Sequence, residues 1–215
     1  MKFFRYRPAN TNTFGEIAEQ KAWYSRYSEL NDPFEGLYVN QSGEGTFNEL
    51  IGQFRVCCFS KRNDILLLWA HYTENHRGLC LEYEVSEEDY RSQFFPIKYR
   101  NAQPVLEKVE RRPDGTLSIH IEREGAVYLT KSEDWAYEEE YRLIRFARQP
   151  NAKGEMSSVP GILSAVYFGI RADPTVVRIV SQLLSAREQV ILQRASLLSG
   201  QYALTFTIVA RDGLL

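Results

Sequence analysis

Cysteine is scarce in this chain: Cys57, Cys58 and Cys80 are the three among 215 residues. None has metal-site spacing, and the first two sit in an apolar run, so buried free thiols in a reducing compartment are expected. Histidine is as rare, with His71, His76 and His120. No ligand spacing joins them to the cysteines, and no metal is expected. No G-x-G-x-x-G follows a strand, and Gly43 and Gly45 lack the Lys-Ser/Thr of a phosphate loop, which argues against P-loop and Rossmann nucleotide sites. No run approaches the roughly 18 apolar residues of a membrane span. Met1 to Pro8 lacks the apolar core of a secretory signal, so a cytoplasmic protein is expected. An excess of one charge is also missing, with 26 Lys plus Arg against 28 Asp plus Glu. Such a surface shows no polyanion footprint.

What is present suffices for a core: 44% of residues are hydrophobic and 13% aromatic. No repeat or low-complexity tract divides the chain, and residues 1–215 are expected to form a single domain. Residues 3–7 read as a first strand. Thr13 with Glu16 forms a capping box for a helix to about residue 21, and a strand follows over 22–25. Residues 40–46 read as a polar, Gly-rich loop. An apolar strand over 54–59 is followed by Asp64 as the cap of a helix over 65–72. Strands are expected at 78–85 and 95–99. Residues 104–112 read as a charged helix or an excursion over the sheet, and 117–121 as an edge strand. The small and polar stretch 151–160 reads as a surface loop. A strand at 165–170, a helix at 175–187 and closing strands at 189–195 and 204–209 complete an α+β fold with a mixed or antiparallel sheet and short helices.

The candidate site centres on residues 131–146. Trp135 and Tyr137 precede Glu138, Glu139 and Glu140, and then a strand-like run. If the strand is regular from Glu138, parity puts Glu138, Glu140 and Arg142 on one face. That row could grip ribose hydroxyls, steady a developing positive charge or abstract a proton. An exposed cluster answered by Lys131 and Arg145 is the structural alternative. His71 and Tyr72, beside Trp69, form a second cluster, with His71 as an acid or base near neutral pH or as a core histidine. Asn31, Asp32 and Glu35 share a compact turn fixed by Pro33, where they could face a ligand or simply build the turn. Arg5 and Tyr6 on the first strand offer phosphate contacts.

Leu30-Asn31-Asp32-Pro33-Phe34-Glu35, Cys58-Phe59-Ser60, Trp69-Ala70-His71-Tyr72, Leu79-Cys80-Leu81-Glu82, Lys131-Ser132, Trp135, Glu138, Glu140-Tyr141-Arg142 and Tyr167-Phe168-Gly169 occur in that order. This series resembles the bacterial domain of unknown function 2971, from the first strand to about residue 185. The family name implies no activity. The order of a basic, aromatic first strand, a short helix, Trp23-Tyr24-Ser25 and a late strand opened by glutamate also looks like the ADP-ribosyltransferase fold, which grips NAD in a split sheet. That resemblance implies Arg5 or Tyr6 on the adenosine side, and Tyr24 with Ser25, or Ser60, at the middle position. Glu140, or Glu138 in the E-x-E form, would be the late glutamate at the nicotinamide ribose. It implies NAD as cofactor and an ADP-ribosyl transferase or NAD glycohydrolase, acting as a phage-defence or toxin effector on a macromolecular target. A non-catalytic nucleotide- or protein-binding module is the first alternative. A divalent-ion nuclease using Asp32, Glu35 and His71 is the second.

Overall fold

The structure, a computed structural model, describes residues 1–40, 51–111, 117–121, 127–149 and 151–211. The loop expected at 40–46, beyond Asn40, lies outside the described residues. In chain order the elements are β1 (Lys2–Arg7), α1 (Thr11–Glu19), β2 (Lys21–Ser25), β3 (Val39–Asn40), β4 (Phe54–Ser60), α2 (Leu66–Tyr72), β5 (Leu79–Glu84) and α3 (Glu87–Gln93). They continue with β6 (Phe95–Pro96), β7 (Lys98–Arg100), β8 (Val105–Arg111), β9 (Leu117–Ile121), β10 (Thr130–Ser132), β11 (Glu140–Phe146) and β12 (Gly154–Ser158). The last are β13 (Ile162–Phe168), α4 (Pro174–Leu183), β14 (Ile191–Leu197) and β15 (Leu204–Ile208). The fold is α+β, with mixed and antiparallel pairing and short helices. The chain divides into two compact units: Met1–Trp23, Cys58–Phe94 and Met156–Leu215 form one, and Tyr24–Cys57 with Phe95–Glu155 the other.

In the first unit β1 pairs antiparallel with β5 from Lys2↔Glu84 to Arg7↔Leu79. Strand β13 runs antiparallel to β5 and parallel to β14, which pairs antiparallel with β15. Strand alternation sends Arg5 to one face, where it meets Glu16 of α1, and Tyr6 to the other, where its ring lies edge-on to Trp69 of α2. The apolar residues of β5 are buried on both faces, as a central strand requires. Phe3 stacks on Phe94 with centroids 4.2 Å apart.

Helix starts depart from the sequence expectation. Asn10, not Thr13, caps α1, accepting from the Thr13 N–H, while Glu16 turns inward to three donors instead of closing a capping box. No side chain caps α2, because Asp64 is paired with the Arg62 guanidinium two residues away. After α2, Glu74, Asn75 and His76 take left-handed φ values of 52°, 57° and 68°. This turn lets the His76 N–H reach the Trp69 carbonyl and the Gly78 N–H reach that of Thr73.

In the second unit, β2 pairs antiparallel with β4 at Ser25↔Val56, β7 runs parallel to β10, and β6 pairs antiparallel with β11. Residues 105–111 form strand β8, paired with β3 and β9, where a helix or excursion was expected. The run Val-Leu-Glu-Lys-Val-Glu-Arg does not alternate as a strand with one buried face would, and pairing with neighbours decides its form. Similarly, 154–158 form β12 where a loop was expected. Arg55 is wholly buried, donating to the carbonyls of Gly52, Phe54, Gln149 and Ala152.

Candidate functional site

Strand β10 carries Lys131 into the second unit, held parallel to β7 with Lys131 opposite Tyr99. Ser132 then caps a 3-10 helix over Glu133–Glu138, accepting from the Asp134 N–H. Glu139 ends it in the left-handed region at φ 46°, and β11 begins only at Glu140. Glu138 is therefore the last residue of a helical turn and not part of a regular strand. The reversal at Glu139 nevertheless returns its carboxylate to the place parity would have given it, beside that of Glu140.

Both acids converge on one ammonium. Lys131 Nζ donates to Glu138 Oε2 at 2.5 Å and to Glu140 Oε2 at 3.2 Å, and lies 3.6 Å from Glu35 Oε1. Arg142, two residues along β11 and so on the face of Glu140, donates from Nε to Glu140 Oε1 at 2.7 Å. Its Nη2 reaches Glu35 Oε1 at 2.5 Å, and its Nη1 the Tyr128 carbonyl at 3.0 Å. The five side chains are 0–5% exposed. Aromatic rings support the cations: Lys131 Nζ is 4.6 Å from the Trp135 ring centroid, and the Arg142 guanidinium 5.7 Å from that of Tyr27. Tyr99 accepts from the Glu140 N–H at 2.8 Å.

Among the described residues, three carboxylates thus face two cations in a buried space. Burial and repulsion among the acids disfavour the ionised form. Glu35 is pushed above the ordinary glutamate range, first by burial and then by the charge of Glu140, against the pull of Arg142 and Lys131. Burial alone would lower Lys131, but Glu140, Glu138 and Glu35 together raise it, so its charge is secure. Glu35 Oε2 is buried with no hydrogen-bond partner among the described residues.

The turn that delivers Glu35 is ordered as its sequence suggests. Asp32 Oδ1 accepts from the Phe34 N–H at 2.9 Å, and the Asp32 carbonyl from the Glu35 N–H at 3.1 Å. Gly36 follows at φ 75°, where a side chain would be strained. Asp32 is 4% exposed, and its Oδ2, like Glu35 Oε2, has no hydrogen-bond partner among the described residues.

Among the residues singled out from the sequence, Glu138 and Glu140 are joined through Lys131. Asp32 lies in the turn that sends Glu35 to the same centre, while Asn31 in that turn is exposed. Tyr24 is fully buried with the Arg145 guanidinium 4.2 Å from its ring, and Ser25 pairs with Val56. In the other unit, Arg5 is 5% exposed and donates to Glu16 and to the Trp23 carbonyl. The Tyr6 hydroxyl donates to the Arg62 carbonyl, and Ser60 Oγ accepts from the Arg62 N–H. On α2, His71 is exposed and Tyr72 half-buried. Lys131 was expected as a surface partner of the acids and Arg142 as a member of their row; that both are buried and also meet Glu35 was not foreseen. Their signal was two cations spaced to answer two glutamates within twelve residues. Among the described residues, no group of three or more His, Cys, Asp or Glu is placed to hold a metal ion. No helix among them is long and apolar enough to cross a membrane.

Fold and site together define an α+β protein with a buried carboxylate–cation centre. The family model described as protein of unknown function (DUF2971) matches residues 68–143. The matched segment holds Lys131, Glu138, Glu140 and Arg142 but not Glu35, and is narrower than the span to about residue 185 that the motif series suggested. No curated protein matches the chain, and no solved structure does.

Proposed function

We propose that the chain is a nucleotide-binding module whose ligand site is the carboxylate centre of Glu35, Glu138 and Glu140, with NAD and ADP-ribose as the ligands to test first. The observation that carries this reading is a buried centre in which, among the described residues, three carboxylates meet two cations and Glu35 Oε2 has no hydrogen-bond partner. A sugar hydroxyl supplies a donor, and acids already fixed by Lys131 and Arg142 bind it with little ordering cost. Binding without turnover is favoured because Glu138 and Glu140 are both spent on Lys131, and Glu140 on Arg142 as well. Neither is a free base. Calorimetry with NAD and ADP-ribose, with nicotinamide release followed in parallel, tests the reading. Saturable heat without product is expected; no heat from either ligand, or steady release of nicotinamide, overturns it.

A second reading keeps the chemistry implied by the ADP-ribosyltransferase resemblance. A carboxyl raised by burial beside another acid is a common arrangement in acid–base sites, and Glu35 next to Glu140 has that form. Glu140 would then stabilise positive charge as the glycosidic bond of NAD breaks, in an effector acting on a macromolecular target. NAD turnover that falls at least about a hundredfold with Glu140→Gln in folded protein supports it. Equal turnover by the variant removes it.

A further inference from the structure

One face of the first unit's sheet is apolar and open to solvent at its β15 end. Register places Ile191 and Leu197 of β14 on the same face as Leu204, Phe206 and Ile208 of β15, since Gln193 lies opposite Ile208, Ala195 opposite Phe206 and Leu197 opposite Leu204. Through Gln193↔Tyr167, Tyr167↔Cys80 and Cys80↔Tyr6, it is also the face that α2 covers at β1, where Tyr6 meets Trp69. The opposite face is closed, with Val166, Phe168 and Leu192 buried. On the first face Ile191 is 48%, Leu197 73% and Ile208 77% exposed. Ile162, opposite Glu84 at the start of β13, extends the patch at 69% exposure, and Tyr202 stands fully exposed in the β14–β15 connection. The described chain beyond β15 follows β14 away from this patch, because the Val209 N–H donates to the Leu192 carbonyl and Arg211 to those of Leu184, Arg187 and Val190. Scattered apolar side chains are ordinary on a surface, but a contiguous patch marks a place where another molecule packs.

Area and charge together point to the occupant. At roughly 150–200 Å² for a whole large apolar residue, Ile162, Ile191, Leu197 and Ile208 leave on the order of 400–500 Å² in solvent, and Tyr202 adds about 200 Å². Two such faces would bury roughly 1,200–1,400 Å² between them, the lower end of what a stable association needs. The centre of the patch is neutral: β15 holds no charged residue, and the one on β14, Arg194, lies on the opposite face and donates to the Ala172 carbonyl. Charge begins at the rim beyond Ile162, where Lys2 pairs with Glu82 at 2.9 Å and Glu84 follows. In a two-fold interface the same surface is presented by both partners, so a neutral centre with a charged rim suits a second copy, whereas a charged partner would find nothing here to answer it. We propose that this face is a homodimer interface: two copies pack β14 and β15 face to face about a two-fold axis that crosses the strands between the sheets. The Phe206 ring, braced by Tyr167 with centroids 5.0 Å apart, lies near the axis, and Leu197 of each copy packs against Ile208 of the other. The hairpin is self-complementary in this sense, because its exposed leucine end meets the exposed isoleucine end in an aligned pair of sheets. This interface is independent of the nucleotide reading.

The test is sedimentation velocity of the full chain over a concentration series of about 1 to 200 μM, in which the mass is expected to rise from monomer to dimer with a dissociation constant of about 1–100 μM. Leu197→Lys and Ile208→Lys, both at exposed positions, should each weaken the dimer at least about tenfold while far-ultraviolet circular dichroism stays the same. Leu197→Glu mixed with Ile208→Lys should associate at least about tenfold more tightly than either alone, because position 197 of one copy meets position 208 of the other. Should a variant fail to fold, methyl shifts of the unaltered chain on dilution serve instead: those of Ile191, Leu197 and Ile208 are expected to move, and that of Leu192 to stay. The inference is overturned if the chain remains monomeric at the highest concentration, if neither lysine substitution weakens the dimer, or if the mixture is no tighter than its components. A dimer lost with Ile208→Lys but kept with Leu197→Lys is joined through the outer edge of β15, which overturns it as well.

Discussion

Arg142 Nη2 meets Glu35 Oε1 at 2.5 Å although 107 positions separate the two residues. The contact ties the early turn to the late strand within one unit, and the same guanidinium holds Glu140. Arg142→Met strands two buried carboxylates and is expected to cost about 3–5 kcal/mol. Glu35→Gln keeps an acceptor for Arg142 and costs less. Because the two residues share one contact, the double variant is expected to fall short of the summed losses by about 1–3 kcal/mol. Denaturant unfolding of the four proteins measures the difference, and additivity within about 0.5 kcal/mol would show the pair to be uncoupled.

The pH dependence of stability has two opposed sources. Burial and the charge of Glu140 raise Glu35, so its contribution is complete below the ordinary glutamate value of 4.5 and is lost as pH rises through the folded value. Burial would also raise Glu82, but hydrogen bonds from Tyr167, Lys2 and Ser164 bring it below 4.5. Its contribution is present above 4.5 and is lost as pH falls through the folded value. Unfolding midpoints taken from about pH 3 to 9 should therefore decline more gently on the alkaline side in Glu35→Gln and on the acid side in Glu82→Gln. A parallel displacement of the whole profile by either substitution would contradict this assignment.

Strands were legible where apolar residues run on both faces or alternate cleanly, as in β1, β4 and β5. The charged β8 and the small, polar β12 were not, since they owe their strand form to neighbours that a local pattern does not reveal. At the site, the Glu138/Glu140 spacing puts both acids on one face only if the strand is regular from Glu138. The convergence actually depends on a left-handed Glu139, a conformation no residue type there announces. Glu35 could be seen as a turn acid but not as the partner of Arg142, because nothing local encodes a contact over 107 positions. Glu16 matched a capping box so well that its attachment to Arg5 and Arg7 stayed hidden.

Two glycines mark where backbones touch. A Cβ at Gly169 would lie 2.1 Å from the His76 carbonyl oxygen, and one at Gly78 2.2 Å from that of Arg7. Neither glycine has a positive φ, so the requirement is space and not backbone freedom. Since the obstacle is backbone in each case, no side chain can swing away. Gly169→Ala and Gly78→Ala are each expected to cost at least about 3 kcal/mol, the upper end of ordinary overpacking, with a lowered Tm. Gly15, where an added Cβ meets nothing within 4 Å, is the control. Gly15→Ala lies inside α1 and should stabilise by about 0.5–1 kcal/mol. Equal effects at all three positions would show that close approach is not what selects glycine.

Arg5 separates a phosphate-binding role from a structural one. Its Nε and Nη2 reach the two oxygens of Glu16 at 3.3 and 3.2 Å, and Nη2 also reaches the Trp23 carbonyl at 2.9 Å. Glu16 is fully buried and also takes Arg7 at 2.9 Å and the Trp23 N–H. A guanidinium so engaged has little left for a diphosphate, and moving it would abandon Glu16. Arg5→Met should therefore cost stability, toward the lower end of about 3–5 kcal/mol because Arg7 remains. Affinity of the folded variant for ADP-ribose should stay within about twofold of the original. A tenfold loss of affinity with unchanged unfolding would instead assign Arg5 to the ligand, and Glu16 would become the residue that aims it.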